Sequence, residues 1–238
     1  MLLVTLAVVE LVPTSAFALK SPPKRVPCQV ALKGKVTRCP SGDLADRNLV
    51  GANLRLADLT GANISGAKLI RADIAGANLA GADLIMTNLI GANLAGANLM
   101  RAGVIYANLS GATLTGANLS RADFLAADLT GANLTGANLT GARMSANLTG
   151  ANLTRANLTG ADLSNANLDH ADLSGAVLIG ANLTAANLTA ANLTRANLDH
   201  ADLTLANLRK ARTDGTTYFD AAFSYTTCPD GTLTAITC

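Results

Sequence analysis

The residues with the most obvious chemical potential in this 238-residue chain are two histidines, His170 and His200. They stand in twin segments, Leu168-Asp-His-Ala-Asp-Leu173 and Leu198-Asp-His-Ala-Asp-Leu203. An imidazole between two carboxylates is raw material for a divalent-metal site. Hydroxyls are abundant, as at Thr135, Thr140 and Thr154. A nucleophilic hydroxyl needs a base aimed at it, and no His or Lys recurs at a spacing that would supply one. Arg101 and Arg121 lie 20 residues apart and Arg155 and Arg195 lie 40 apart, spacings at which a ladder of guanidiniums would attract anions. Asn108, Asn133 and Asn152 begin Asn-Leu-Ser/Thr triplets that match the glycosylation sequon. The chain's internal regularity generates these triplets, so they carry no separate message. Four cysteines complete the reactive set: Cys28, Cys39, Cys228 and Cys238. None of these groups makes an enzyme's constellation, and the expectation is a non-enzymatic protein without cofactor or resident metal.

The elements that position these residues follow from a period of five. Gly51-Ala-Asn-Leu-Arg, Gly131-Ala-Asn-Leu-Thr and Gly136-Ala-Asn-Leu-Thr are typical repeats. With Leu as the centre, centres run in steps of five from Leu44 to Met144 and again from Leu148 to Leu208, giving 34 repeats. Ala stands two before the centre except at Gly42, Arg47 and Thr87, and Asn or Asp commonly stands just before it. Five matches neither the 3.6 of a helix nor the 2 of a flat strand. It fits a short extended piece followed by a corner. The centre and the Ala two before it then share the inner side, and Asn, Asp, Gly and Thr take the corners and the outer surface. Leu54, Leu94, Leu134, Leu153 and Leu183 are representative core residues. Aromatics are only 3% of the chain and Trp is absent. A core built from Leu and Ala alone must repeat one small cross-section. One residue is missing from the pattern between Ser145 and Ala146, where a tightened corner is expected, the alternative being a bend or groove used for binding.

Residues 42–212 resemble the pentapeptide-repeat family, with its A-[DN]-L-x-x pattern. The resemblance implies an all-β fold, a right-handed quadrilateral β-helix with four repeats per coil. The 34 repeats would then make about 8.5 coils in a rod of roughly 40 Å. On that geometry His170 and His200, one and a half coils apart, fall on opposite faces and share no metal ion. Each coil contacts only its neighbours, so the ends need caps. The expected organisation is a signal peptide (1–18), an N-terminal cap (19–41), the solenoid (42–212) and a C-terminal cap (213–238). In a rod of that length only Cys28–Cys39 and Cys228–Cys238 can pair. The tail around Thr227-Cys-Pro-Asp-Gly-Thr232 also resembles the endings of exported bacterial members.

Export is expected from the apolar run Leu2 to Val9 and the small-x-small site Ala16-Phe17-Ala18, which places cleavage before Leu19 and the mature protein in the periplasm or outside the cell. Charge is distributed in blocks. Residues 19–40 carry six bases and no acid, residues 41–212 carry 12 of each sign, and residues 213–238 carry three acids and no base. The family includes gyrase-protecting DNA mimics. Such a mimic needs a strongly acidic face, which a neutral solenoid lacks. The expected function is therefore a structural scaffold or protein-interaction rod. Its partner would be protein rather than nucleic acid, it would have no transmembrane segment after signal cleavage, and its ends would be open to self-association. The competing expectation is a binder of anionic envelope polymer through the basic N-terminal end.

Overall fold

The computed structural model describes residues 38–218 and 220–234. Its architecture can be built from a single repeat, Asn78-Leu79-Ala80-Gly81-Ala82. The Leu79 N–H donates to the Asn98 carbonyl of the next coil at 2.7 Å, and the Asn78 N–H donates to the Ala57 carbonyl of the coil before at 2.8 Å. Gly81 donates onward to Met100 at 2.9 Å, and Ala82 donates back to the Leu79 carbonyl at 2.9 Å, closing the corner. The remaining N–H, that of Ala80, goes to Oδ1 of Asn78 at 3.3 Å. All five backbone donors are thus satisfied, as a chain with this much buried backbone requires. The Asn or Asp before the centre is the residue that completes the set, because its short side chain reaches the N–H two positions on.

Repetition of this unit produces four parallel ladders, passing through Arg38, Asp43, Asn48 and Asn53, each made of single-residue bridges. Partners are 20 residues apart along most of the rod. The ladders hold ten, ten, ten and nine residues and reach Thr227, so the coil continues past both ends of the recognisable repeat. The four ladders are the walls, and the centres fill the axis. Leu54 is 1% exposed, and Leu94, Leu134, Leu153 and Leu183 are wholly buried, with the Ala residues packed between them. Thr87 takes an inward Ala position, and its hydroxyl donates to the Ile64 carbonyl at 3.0 Å, which satisfies the polar atom that burial would otherwise strand.

The second corner residue is left-handed in every complete described repeat. Gly fills many of these positions, as at Gly81 with φ 63°. Twenty non-glycine residues adopt the same conformation, among them Leu56, Arg155, His170 and Leu205. Each carries a strain of roughly 1–2 kcal/mol that glycine would avoid, and the stacked coils hold it in place.

The Asn and Asp positions differ from the sequence expectation of a plainly outer surface. Most are half-buried, and many bond along the wall. Asn98 donates to Asn78 Oδ1 at 2.9 Å, Asn118 to Asn98 at 3.1 Å and Asn138 to Asn118 at 3.5 Å, a continuous amide ladder. This separates two substitutions that look alike in sequence. Asn133 uses only its oxygen among the described residues, accepting from the N–H and hydroxyl of Thr135. Asn133→Asp should therefore shift the melting temperature little. Asn118→Asp removes a donor and sets a carboxylate against the Asn98 oxygen. It should destabilise by about 1–2 kcal/mol, and parallel thermal melts of the two variants check the difference.

Candidate interaction surface at the break in the repeat

Where the repeat loses a residue, the corner changes type. The Ala146 N–H bonds to the Met144 carbonyl at 2.7 Å, closing a three-residue turn in place of the usual four-residue one. The missing residue is the left-handed second corner residue. Stacking across the break is 19 residues in all four walls: Asp128 to Asn147, Asn133 to Asn152, Asn138 to Asn157 and Arg143 to Asp162. The tightened corner read from the sequence is thus what forms, and the register returns to 20 one coil later. The shortened corner leaves an open notch of about 450 Å³ lined by Ala126, Ala127, Asp128, Ala146, Asn147 and Asn165. In a regular coil, the second corner N–H donates to the first corner carbonyl of the next coil. Tyr106 to Leu125 (3.0 Å), Ala126 to Ser145 (2.9 Å) and Asn165 to Thr184 (2.9 Å) follow this rule on this corner, while the Ser164 carbonyl receives no such bond.

The same corner, one to three coils earlier, carries an apolar side chain at both corner positions in each coil, where the other corners of these coils pair their first residue with Gly or Arg. Ile85-Met86, Ile105-Tyr106 and Leu125-Ala126 succeed one another at 20-residue intervals. Met86 is 66% exposed and Tyr106 58%. Sequence reading missed this ridge: the 20-residue wrap that stacks Arg101 on Arg121 stacks its members too, but each alone is an ordinary departure from the repeat.

The other candidates are not brought together. His170 and His200 occupy diagonally opposite corners. His170 Nδ1 contacts Asp169 Oδ2 at 3.0 Å, and the described residues contain no group of three metal-ligating side chains. Thr135 and Thr140 each donate their hydroxyl to the Asn two positions before at 2.7 Å, a structural use. The same kind of bond, Thr60 to Asp58 and Thr204 to Asp202, holds these two carboxyls below the usual carboxylate range. Arg101 and Arg121 stand on one corner in successive coils. Arg155 and Arg195 flank Gly175 two coils apart, beside the hydroxyls of Thr154, Ser174 and Thr194, around a shallow depression of about 290 Å³.

Cys39 and Cys228 are buried in the centre position of their coils, at 6% and 5% exposure, and neither is a free thiol. Their expected partners, Cys28 and Cys238, and the expected signal segment lie outside the described residues. Among the described residues no helix is long and apolar enough to cross a membrane.

The model of the family described as pentapeptide repeats matches eight copies, over residues 43–74, 67–102, 107–145, 146–184 and 171–209. The chain belongs to the pentapeptide-repeat family. Its four ladders are the walls of that family's right-handed quadrilateral β-helix. This pentapeptide-repeat protein is 32% identical to HetL of the cyanobacterium Nostoc, a pentapeptide repeat protein involved in heterocyst differentiation regulation, over 83% of this chain and 91% of that one, with a TM-score of 0.43. It is 40% identical to a pentapeptide repeat protein from the Arabidopsis thaliana thylakoid lumen, over 40% of this chain and 66% of that one, with a TM-score of 0.39. QnrB1, a plasmid-mediated fluoroquinolone resistance protein, is 20% identical over 76% of this chain and 93% of that one; its TM-score of 0.52 shows a shared fold. No curated protein matches the sequence.

Proposed function

We propose that this protein is an exported, non-enzymatic scaffold that binds other proteins along its rod. The observation that carries this reading is the exposure of large apolar side chains at corners of the rod, with Met86 and Tyr106 neighbours on successive coils and Val50, Leu56 and Leu205 exposed elsewhere. A regular rod gains nothing in stability from such residues, and exposed apolar side chains grouped together mark contact surfaces. The reading against a DNA mimic rests on charge, since residues 41–212 carry 12 bases and 12 acids. The test is affinity capture of envelope proteins by the mature chain with crosslinking, beside a gyrase supercoiling assay. Discrete protein partners competed by excess free chain, with gyrase unaffected, are expected. Retention of anionic polymer alone, lost when the bases of residues 19–40 are neutralised, would favour the competing reading.

Export rests on the apolar run Leu2 to Val9, the Ala16-Phe17-Ala18 site and the four cysteines outside the repeat. Cys28–Cys39 and Cys228–Cys238 are the proposed disulfides. Each closes a short loop, worth about 3 kcal/mol on the chain-entropy model. The mature protein should begin at Leu19, and non-reducing peptide mapping should give two short-range linked peptides. A peptide joining Cys39 to Cys228 would refute the pairing.

A further inference from the structure

We propose that the corner carrying Met86, Tyr106 and Leu125, together with the notch at Ser145 and Ala146, is the docking site for an extended, apolar segment of a partner protein that bears a Lys or Arg. This rests on the reading of the rod as a protein-binding scaffold and locates the site on it.

Two independent observations converge on this corner. The first is the apolar ridge, which runs over three coils and leads straight into the notch through Ala126. The second is the Ser164 carbonyl, which loses its N–H donor because the residue that would carry it is absent from the sequence. A chain laid along the corner supplies what the shortened turn lacks: a backbone N–H for Ser164 and a side chain for the notch.

Charge selects the character of that chain. On the two walls that meet at this corner, the charged residues between 83 and 162 are Asp83, Asp123, Asp128, Asp162 and Arg143. Arg143 is paired with Asp123 at 2.7 Å. Asp128 lines the notch, and its Oδ1 accepts from Thr130 and Asn147, while Oδ2 takes no hydrogen bond among the described residues. Arg101 and Arg121 stand at the far edge of the wall that carries Asp123, so the uncompensated carboxylate is the one at the notch, Asp128, and a cationic side chain reaching it from beside the apolar ones matches it.

The repeat itself supplies the test. Inserting a glycine between Ser145 and Ala146 restores the 20-residue register, fills the corner and provides the missing N–H. The probe is a phage-displayed random dodecapeptide library selected on the mature wild-type chain. Enriched peptides should carry apolar residues around a Lys or Arg. Their dissociation constants should rise at least about tenfold on the glycine-insertion chain and on Tyr106→Ser, and by a similar factor on Asp128→Asn, the loss expected for a charge-assisted contact. Circular dichroism melts should show the insertion chain at least as stable as wild type, so that lost binding is not lost folding. Peptides that bind wild type and insertion chain equally would overturn the location while leaving the scaffold reading intact. Absence of any enriched peptide would sink both. Wild-type dimers that the insertion makes monomeric, seen by sedimentation, would overturn the partner segment in favour of a second copy of this chain.

Discussion

Leu134→Asp is expected to leave no cooperatively folded rod, whereas Thr115→Asp, at the exposed corner just after Leu114 one coil earlier, should change stability by no more than about 0.5 kcal/mol. Leu134 is wholly buried. The bridges Thr113–Asn133 and Asn133–Asn152 stack it in register between Leu114 and Leu153. A carboxylate there loses the Leu transfer energy, about 2–3 kcal/mol. It also places an ionisable group in a dry apolar column with no donor facing it, so it must take up a proton or draw in water. Together these effects rival the 5–15 kcal/mol of a typical fold. The linear architecture makes the damage worse. Each coil is held by the coils above and below it, so a broken coil in the middle uncouples the two halves. Leu134→Ala should fall between the extremes, at about 2–5 kcal/mol. Thermal melts followed by circular dichroism rank the three variants. A cooperative Leu134→Asp melt close to wild type would show that the centre column is not the core.

Much of this was legible in the chain because the period of five is nearly unbroken. Leu and Ala alternate inward by position alone, and every representative core residue is buried. The break after Ser145 was visible as a missing residue. The wrap of four repeats could be read, and with it the stacking of Arg101 on Arg121; what could not were the side-chain bonds and backbone conformations that stacking imposes. The amide ladder of Asn78, Asn98, Asn118 and Asn138 joins residues 20 apart or multiples of it, so half-burial of the Asn positions appears only once four walls exist. The left-handed corner is announced by Gly in many repeats, yet Arg, His, Leu and Ala adopt it elsewhere because neighbouring coils impose it. The ridge of Met86 and Tyr106 was hidden because each residue alone is an ordinary departure from the repeat. The tail beyond Arg212 lacks the repeat's signature but keeps its geometry. Tyr218, Phe223 and Cys228 stand 20 residues after Leu198, Leu203 and Leu208, in the centre positions. Thr216 and Thr226 take Ala positions, and their hydroxyls donate to the Leu193 and Leu203 carbonyls at 2.6 Å each.

Removing residues 213–238 should therefore convert a self-contained rod into one that self-associates. Phe223 is 4% exposed and packs edge-on against Tyr218 with ring centroids 5.4 Å apart, so the two aromatics broaden the final layer beyond what Leu would cover. Tyr225, in contrast, is 67% exposed at a corner and takes no part in that layer. The truncation uncovers the Leu198, Leu203 and Leu208 layer. It also frees the N–H groups of Leu198, Leu203, Leu205, Leu208 and Lys210, which now donate to Thr217, Ala222, Ser224, Thr227 and Pro229. An apolar end face ringed by unpaired strand donors is a template for a second chain. The remaining coils still stack on their own neighbours, so the β-signal in circular dichroism should largely persist while light scattering reports dimers or larger species. Restoring residues 213–234 should return the monomer even without Cys238, because the coil geometry rather than the last cysteine covers the layer. A truncated chain that stays monomeric and melts with the parent would show that the Leu208 layer needs no lid, and the tail would then be free for another use.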